Sequence, residues 1–313
     1  MELILTLDVG TTSVKACLFD RQLRQTALTS REYALQTRGV CAEAEAQVYL
    51  DAAAQCILSL PAEARARVCA VALTTQGETL LCVDRQGKAL RPAIVWLDSR
   101  AEAQAARLAA ALDRQRFYEC TGLPELSGAL PLAKLLWLRE QEPESWAQTD
   151  KFLLLEDYLM LWLTGRAVTE KSLLTSTGYF DLQSDDYWDE ALALAELDRT
   201  RLPQALACGS IVGPVLPEVA EALGLPASAC VVTGAMDQTA AALAAGCTRP
   251  GTLCETTGTA MVAAAFTAHP QFSEDHHVTI YRHAMPGAYL YLPISNTIGM
   301  SLRWFRDEFC CDL

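Results

Sequence analysis

Apolar and polar positions alternate almost from the first residue. Leu3-Ile4-Leu5-Thr6-Leu7 and the run 14–19 are β in character, and residues 3–35 read as a three-strand meander. Residues 42–60 change period. Val48, Tyr49, Ala52, Ala53, Cys56, Ile57 and Leu60 fall on one stripe, which predicts an amphipathic helix. The apolar run 68–74 predicts a buried strand, and 79–83 and 93–96 predict two more around the turn Asp84-Arg85-Gln86-Gly87. Asp98 or Ser99 stands where it would cap an alanine-rich helix over 101–112. Residues 130–139 and 153–163 read as helices, with Gly165 as the stop of the second. The stretch 173–182 reads as extended and turn-rich. Residues 229–233 form another buried strand, then Gly234-Ala235-Met236-Asp237-Gln238 leads into a helix over 239–245 that ends at Gly246.

Meander, helix, strand, helix and a later hairpin unit make an α/β order. The length of 313 residues favours two domains, and the boundary is expected near Arg249-Pro250-Gly251, giving regions 1–248 and 249–313. Half of the residues are hydrophobic, enough for large cores. The net charge of −13 argues against binding nucleic acid or a membrane surface by general electrostatics. No basic and apolar leader precedes the first strand, and no uncharged apolar run reaches membrane-spanning length, so a cytoplasmic location is expected.

Twelve cysteines are spread without a Cys-x-x-Cys pair. Cys17, Cys69, Cys82, Cys230 and Cys254 lie in apolar runs and are expected to be reduced core residues. His269, His276, His277 and His283 crowd one stretch. No carboxylate or cysteine completes a usual ligand spacing there, so an exposed loop is expected.

Two Gly-Thr turns carry the candidate chemistry. The first is Asp8-Val9-Gly10-Thr11-Thr12-Ser13-Val14-Lys15, and the second is Glu255-Thr256-Thr257-Gly258-Thr259-Ala260. Each lies between β-type runs. Successive N–H groups at such a turn form an anion nest, hydroxyls add donors, and Asp8 can hold Mg²⁺ through oxygen, usually with waters between. Either turn alone is equally a tight hairpin. As a pair, with an acid ending the first strand, they suggest a duplicated clamp for nucleotide phosphates. No Walker loop and no Gly-x-Gly-x-x-Gly opens a helix.

Asp237 follows a buried strand and opens a helix, so its carboxylate should project into a cleft at the strand's carboxyl end. That suits a base for phosphoryl transfer, and the same position also serves as a helix cap. Gln76-Gly77-Glu78 and Trp96-Leu97-Asp98-Ser99-Arg100 follow two other strands. Their carboxylates, amides and guanidinium suit a ligand rich in hydroxyls, with Trp96 against its apolar face. Lys134-Leu135-Leu136-Trp137-Leu138 reads as a packed helix with a snorkelling lysine.

Together these residues resemble the FGGY family of carbohydrate kinases, which includes glycerol kinase and xylulokinase. Residues Asp8 to Lys15 resemble its first phosphate hairpin, Gln76-Gly77-Glu78 and Trp96 through Arg100 its sugar loops, and Pro131-Leu132-Ala133-Lys134-Leu135-Leu136-Trp137 its signature. Gly234 through Gln238 resembles the loop of the base, Thr257-Gly258-Thr259 the second hairpin, and Asn296-Thr297-Ile298-Gly299 the segment after it.

The resemblance implies an actin-like, ribonuclease-H-type fold with a complete first domain and only the start of a second. It implies ATP and Mg²⁺ in the cleft and a small sugar or polyol as substrate, and it leaves room for a homodimer. Asp237 would be the catalytic base and Asp8 the metal residue. Gln76, Gly77, Glu78, Trp96, Asp98, Arg100 and Gln238 would face the sugar. Gly10, Thr11, Thr12, Ser13 and Lys15, with Thr257, Gly258 and Thr259, would face ATP.

Four features depart from the pattern. Gly77 stands where glycerol kinases carry arginine, and Ala129 where an aromatic is usual. Asp98 and Arg100 look more like the pentulose-kinase pattern and Asp237-Gln238 more like the glycerol-kinase one, and the chain stops before the adenosine-binding glycines. A non-catalytic sugar-binding remnant and another actin-like ATPase therefore stay open as alternatives.

Overall fold

Leu3, Leu5, Leu7 and Val9 bury one face of strand β1 (Leu3–Val9), while Ile4, Thr6 and Asp8 point to the other. In the computed structural model, which describes residues 2–257, 261–275, 277–295 and 298–309, this strand sits inside a six-stranded sheet. β2 (Ser13–Phe19) and β3 (Gln25–Glu32) complete the expected meander, antiparallel throughout. β3 forms the outer edge, and its mostly exposed polar residues suit that position. β4 (Val68–Thr75) pairs parallel with β1. β5 (Ile211–Pro214) and β6 (Cys230–Met236) follow, with β6 parallel to β4. The order across the sheet is β5-β6-β4-β1-β2-β3.

Helix α1 (Ala46–Ser59) packs Tyr49, Ala53, Cys56 and Ile57 against this sheet. The helix begins later than its hydrophobic period predicts. Cys41–Ala44 alternates in burial and pairs as a strand in a second sheet. That sheet has five strands in the order Gln36–Arg38, Cys41–Ala44, Ala93–Ile94, Leu80–Val83 and Lys151–Leu154. The last strand likewise takes the start of the helix expected over 153–163. α4 (Leu155–Thr164) starts only after it, and left-handed Gly165 ends the helix as expected.

α2 (Glu102–Ala111) has Ala101 at its N-cap and no side-chain cap there, so neither Asp98 nor Ser99 caps it. α3 (Pro131–Gln141) is buried on nearly every face. The segment expected to be extended over 173–182 begins as the helical turn Lys171–Leu174 and ends in the hairpin Phe180–Asp181 with Asp186–Tyr187. α5 (Asp237–Ala244) follows β6 directly.

Residues beyond 250 form a third sheet: Leu253–Thr257, Met261–Thr267, Tyr289–Tyr291 and Ile280–Arg282, with Ile294–Ser295 beside Met261–Thr267. Ile280 and Leu290 of this sheet share one hydrophobic core with Leu132, Leu135 and Phe152, whereas β1, β4 and α1 enclose a second core. Each fully buried leucine contributes about 1.5–3 kcal/mol to such a core. In the last helix, α6 (Ile298–Phe309), Leu302, Trp304, Phe305 and Phe309 are exposed.

The cysteine expectation holds only in part. Cys82 is buried, but Cys17, Cys230 and Cys254 are half-buried and Cys69 is exposed; the described cysteines are free thiols. The histidines do not form one exposed loop. His269 is exposed, His277 stacks on Tyr118 and His283 is buried, its Nε2–H donating to the Cys247 carbonyl at 2.9 Å. His276 lies outside the described residues. Among the described residues, no helix is long and apolar enough to cross a membrane.

Candidate active site

Three parallel strands end at one level. Asp8 lies opposite Thr74, and Val9 and Met236 both lie opposite Thr75. The Gln76 amide then donates to the Val9 carbonyl at 3.1 Å. This register brings Asp8, Gln76 and Asp237 side by side at the carboxyl edge of the sheet, where α/β folds hold ligands.

The first Gly-Thr turn closes this edge. Gly10 N–H donates to Ser13 O at 3.0 Å and Tyr33 N–H to Thr12 O at 2.9 Å. The Tyr33 hydroxyl donates to the Gly10 carbonyl. Thr11 Oγ1 accepts from Trp96 Nε1 at 2.9 Å, which leaves its own proton free to donate. Lys15 Nζ is 3.4 Å from Asp8, across the β1–β2 ladder. The Asp8 side chain is 41% exposed. Among the described residues no group of three His, Cys, Asp or Glu side chains is placed to hold a metal ion. One accessible carboxylate beside a phosphate turn fits Mg²⁺, which keeps several waters and needs few protein ligands.

Asp237 is the first residue of α5, and its Oδ1 accepts from the Gln238 amide at 2.6 Å. Burial pushes its pKa up to about 6; the Gln238 amide opposes this and the Asp8 carboxylate adds to it. Gln238 itself is half-buried on the first turn of α5. Glu78 lies in the same field. Burial pushes its pKa up, the Lys134 ammonium and the Ser176 and Tyr281 hydroxyls favour its anion, and Asp237 works against it. Its backbone is left-handed, with φ 51°, an uncommon state for glutamate that marks an over-determined loop.

Beside it, a Cβ on Gly77 would lie 3.0 Å from Ser176 Oγ and 3.3 Å from Met236 Sδ, so this loop is built without a side chain at 77. Gln76 is buried, and its side-chain amide lies beside the buried Tyr49 hydroxyl.

Lys134 does not snorkel. It is wholly buried, and its Nζ donates to the Glu78 carbonyl at 3.2 Å and the Val95 carbonyl at 3.0 Å. One ammonium thus ties the Gln76–Glu78 loop to the strand end that leads into Trp96. Burial pushes its pKa down, and the Glu78 and Asp98 carboxylates push back.

Asp98 and Arg100 lie beneath the second loop. Asp98 is fully buried and accepts from the Ala42 amide at 2.7 Å, the Arg100 amide at 3.0 Å and the Arg100 guanidinium at 2.6 Å. Burial raises its pKa, but the Arg100 and Ala42 hydrogen bonds outweigh that and hold it below the usual range. Arg100 also reaches Glu43 at 2.8 Å and sits 4.9 Å over the Trp137 ring. Their polar groups are spent inside the protein. Trp96 and Leu97 are the exposed members of the loop, at 38% and 48%.

Thr12, Ser13 and Lys15 stay on the first hairpin. Thr257 ends the strand Leu253–Thr257, whereas Gly258, Thr259, Asn296 and Thr297 lie outside the described residues. Tyr281 joins the site without having been expected. It stands on the strand Ile280–Arg282, between Ile280 and Arg282, and nothing in its local sequence separates it from a core tyrosine.

The family model described as the FGGY family of carbohydrate kinases, N-terminal domain, matches residues 3–244, and the chain belongs to that family. Within it, the xylulose kinase of Lactococcus lactis subsp. lactis (strain IL1403) is 30% identical over 314 residues, 99% of this chain and 62% of the relative. The gluconokinase of Bacillus subtilis (strain 168) is 27% identical, over 98% of this chain and 60% of its own length. A crystal structure of xylulose kinase from Rhodospirillum rubrum superposes with a TM-score of 0.93 at 28% identity, covering 99% of this chain and 64% of that one. The expected actin-like α/β fold is therefore the fold observed, corresponding to the first domain. The chain spans about three fifths of the length of the relatives it matches.

Proposed function

We propose that this chain carries the sugar side of a kinase that transfers the γ-phosphoryl group of ATP to a hydroxyl of a small sugar or polyol, a pentulose or sugar acid by its relatives. In this reading residues 1–248 form the sugar domain and 249–313 begin the nucleotide domain. The observation that carries the reading is the meeting of Asp237, Asp8 and Glu78 at one sheet edge, with Trp96 bonded to Thr11 of the phosphate turn.

Asp237 aligns the attacking hydroxyl and accepts its proton late, as a loose transition state requires. Glu78, Tyr281 and Gln238 hold neighbouring hydroxyls, and Trp96 covers the apolar face of the ring. Asp98, Arg100 and Lys134 serve beneath, fixing the two loops. Gly10, Thr11, Thr12, Ser13 and Lys15 would face the phosphates, with Thr257, Gly258 and Thr259 opposite, and Asp8 would hold Mg²⁺. When bound, ATP–Mg²⁺ supplies the phosphoryl group and neutralises its charge.

The test is Asp237→Asn, assayed for ADP release with a panel of ketoses, polyols and sugar acids and titrated calorimetrically. Transfer should fall by about 10²–10⁴-fold while sugar affinity holds. In the parent protein kcat/KM should rise with pH through about 6, as Asp237 ionises, and then level. Ordinary turnover in the variant removes Asp237 as the base. Sugar binding in the parent protein with neither nucleotide binding nor transfer leaves a sugar-binding module instead.

A further inference from the structure

β6 does not run in simple register against β4. Val232 lies opposite Ala72 but Ala235 opposite Thr74, so Thr233 and Gly234 together face Leu73. This is a β-bulge, and it precedes Asp237 by only three residues. Bulges bend a strand and re-aim the side chains beyond the bend. Residue 234 must be glycine, because a Cβ there would lie 1.3 Å from the Leu73 carbonyl oxygen.

A bulge also frees backbone groups from the ladder, and buried free groups are costly. Here three are received by side chains from the elements around it. Glu156 Oε1, on α4, accepts from Gly234 N–H at 3.0 Å. The Thr74 hydroxyl, on β4, donates to the Ala235 carbonyl at 2.8 Å. Ser172 Oγ, on the turn Lys171–Leu174, accepts from Met236 N–H at 3.0 Å and donates its own proton to Glu170. Glu156 and Ser172 are fully buried and Glu170 nearly so. Met236 adjoins Asp237, so the received amide fixes the first residue of α5.

We propose that Glu156 and the Ser172–Glu170 pair are positioning residues that set the aim of Asp237 by receiving the amides freed at the bulge. The inference rests on reading Asp237 as the base. Burial, helped by the neighbouring Glu170 carboxylate, raises the Glu156 pKa well above the usual range. That direction favours the protonated carboxyl, and glutamine offers the same accepting carbonyl oxygen to Gly234 N–H.

Asp157 supplies the control. It is buried in the same acidic cluster, but its carboxylate accepts from the Leu154 amide at 2.7 Å, on the helix's own side. It makes no hydrogen bond to β6 among the described residues.

The experiment tracks amide hydrogen exchange at Gly234 and Met236, and the carbon-13 titration of Asp237, in the chain and four variants. Glu156→Leu should speed exchange at Gly234, and Ser172→Ala at Met236, by about tenfold or more, the scale of one lost buried hydrogen bond. Both should move the Asp237 midpoint from about 6 toward the ordinary carboxylate value, because burial is its main cause. Glu156→Gln should leave both readouts near the parent's. Asp157→Asn should change the melting temperature and leave the Asp237 titration in place.

If Glu156→Leu and Ser172→Ala lower only the melting temperature and leave Asp237 unmoved, they are structural and the proposal fails. Should Glu156→Leu not fold, Ser172→Ala decides by the same criteria. None of these readouts needs phosphoryl transfer, so the proposal can fail while the kinase reading stands, and the reverse.

Discussion

The two sides of the candidate site are built in opposite ways. The side formed by Gln76 to Glu78 and Trp96 to Arg100, proposed to face the sugar, is fixed by buried charge. Lys134 spans two loop carbonyls, and Asp98 and Arg100 lock to each other, to Ala42 and to Glu43. The first Gly-Thr turn, proposed to face the phosphates, is held by a few backbone bonds, the Tyr33 hydroxyl and the Trp96 indole, and its charged residues, Asp8 and Lys15, are 41% and 52% exposed. Groups that must discriminate between hydroxyl patterns gain from being preorganised, because each misplaced donor or acceptor costs affinity. A triphosphate with its metal brings strong charge of its own, so a looser cradle of amides and hydroxyls suffices.

Removing the buried lysine should break this contrast most severely. Lys134→Met keeps the volume but leaves the Glu78 and Val95 carbonyls without their donor and the Glu78 carboxylate without its cation. Each orphaned acceptor costs about 1–3 kcal/mol, and the lost ammonium also removes a charge that favours the Glu78 anion. Urea denaturation should show a loss of several kcal/mol. Calorimetry should show sugar binding lost from whatever fraction stays folded. A variant that binds sugar as the parent does would mean that the loops hold their shape without the ammonium.

The contrast also explains what the sequence made legible. Asp8, Glu78 and Asp237 stand directly after apolar runs, and strand ends can be read from local pattern, so their meeting was foreseeable. The role of Lys134 was not. Its helical spacing fits a lysine reaching for solvent, and only the fold brings two distant carbonyls over it. Asp98 was misplaced for the same reason: a local pattern offers it a helix to cap, whereas its partner Ala42 is 56 residues away.

The late starts of α1 and α4 have one cause. Cys41–Ala44 and Lys151–Leu154 are apolar enough to continue a helix, and partners remote in sequence claim them as strands instead. Gly234 is visible as a glycine before Asp237, but the carbonyl that forbids a side chain there belongs to β4.

A smaller effect should come from cutting the Trp96–Thr11 bond that joins the two halves. Trp96→Phe keeps an aromatic face for the sugar and removes the Nε1 donor to Thr11. Trp96 is partly exposed, so stability should fall by only about 0.5–1.5 kcal/mol. The sugar loop keeps its anchors in Lys134 and Asp98, whereas Thr11 loses one of the few bonds that orient its hydroxyl. Parallel titrations with sugar and with ATP–Mg²⁺ should find the loss on the nucleotide side. An equal loss on the sugar side would mean that the indole N–H, not the buried network, fixes the loop.

Asp8→Asn should perturb the least, and it tests whether the two halves share one electrostatic field. The Asp8–Lys15 pair is exposed, and such pairs contribute about 0–1 kcal/mol, so the melting temperature should barely move. Asp237 should report the change instead. Its folded pKa is raised to about 6, first by burial and then by the Asp8 carboxylate. Removing the second cause should lower the midpoint while leaving it above the unfolded value of 3.8.

The sign carries into stability. A carboxyl whose pKa is raised on folding holds its proton more tightly in the native state, so its contribution is greatest below 3.8 and is lost as pH rises through about 6. In Asp8→Asn the loss should still begin near 3.8 but be smaller and finish at lower pH. A carbon-13 titration of Asp237 in both proteins, without any ligand, makes the measurement. An unchanged midpoint would place the two carboxylates in separate fields and make the sheet edge two sites rather than one.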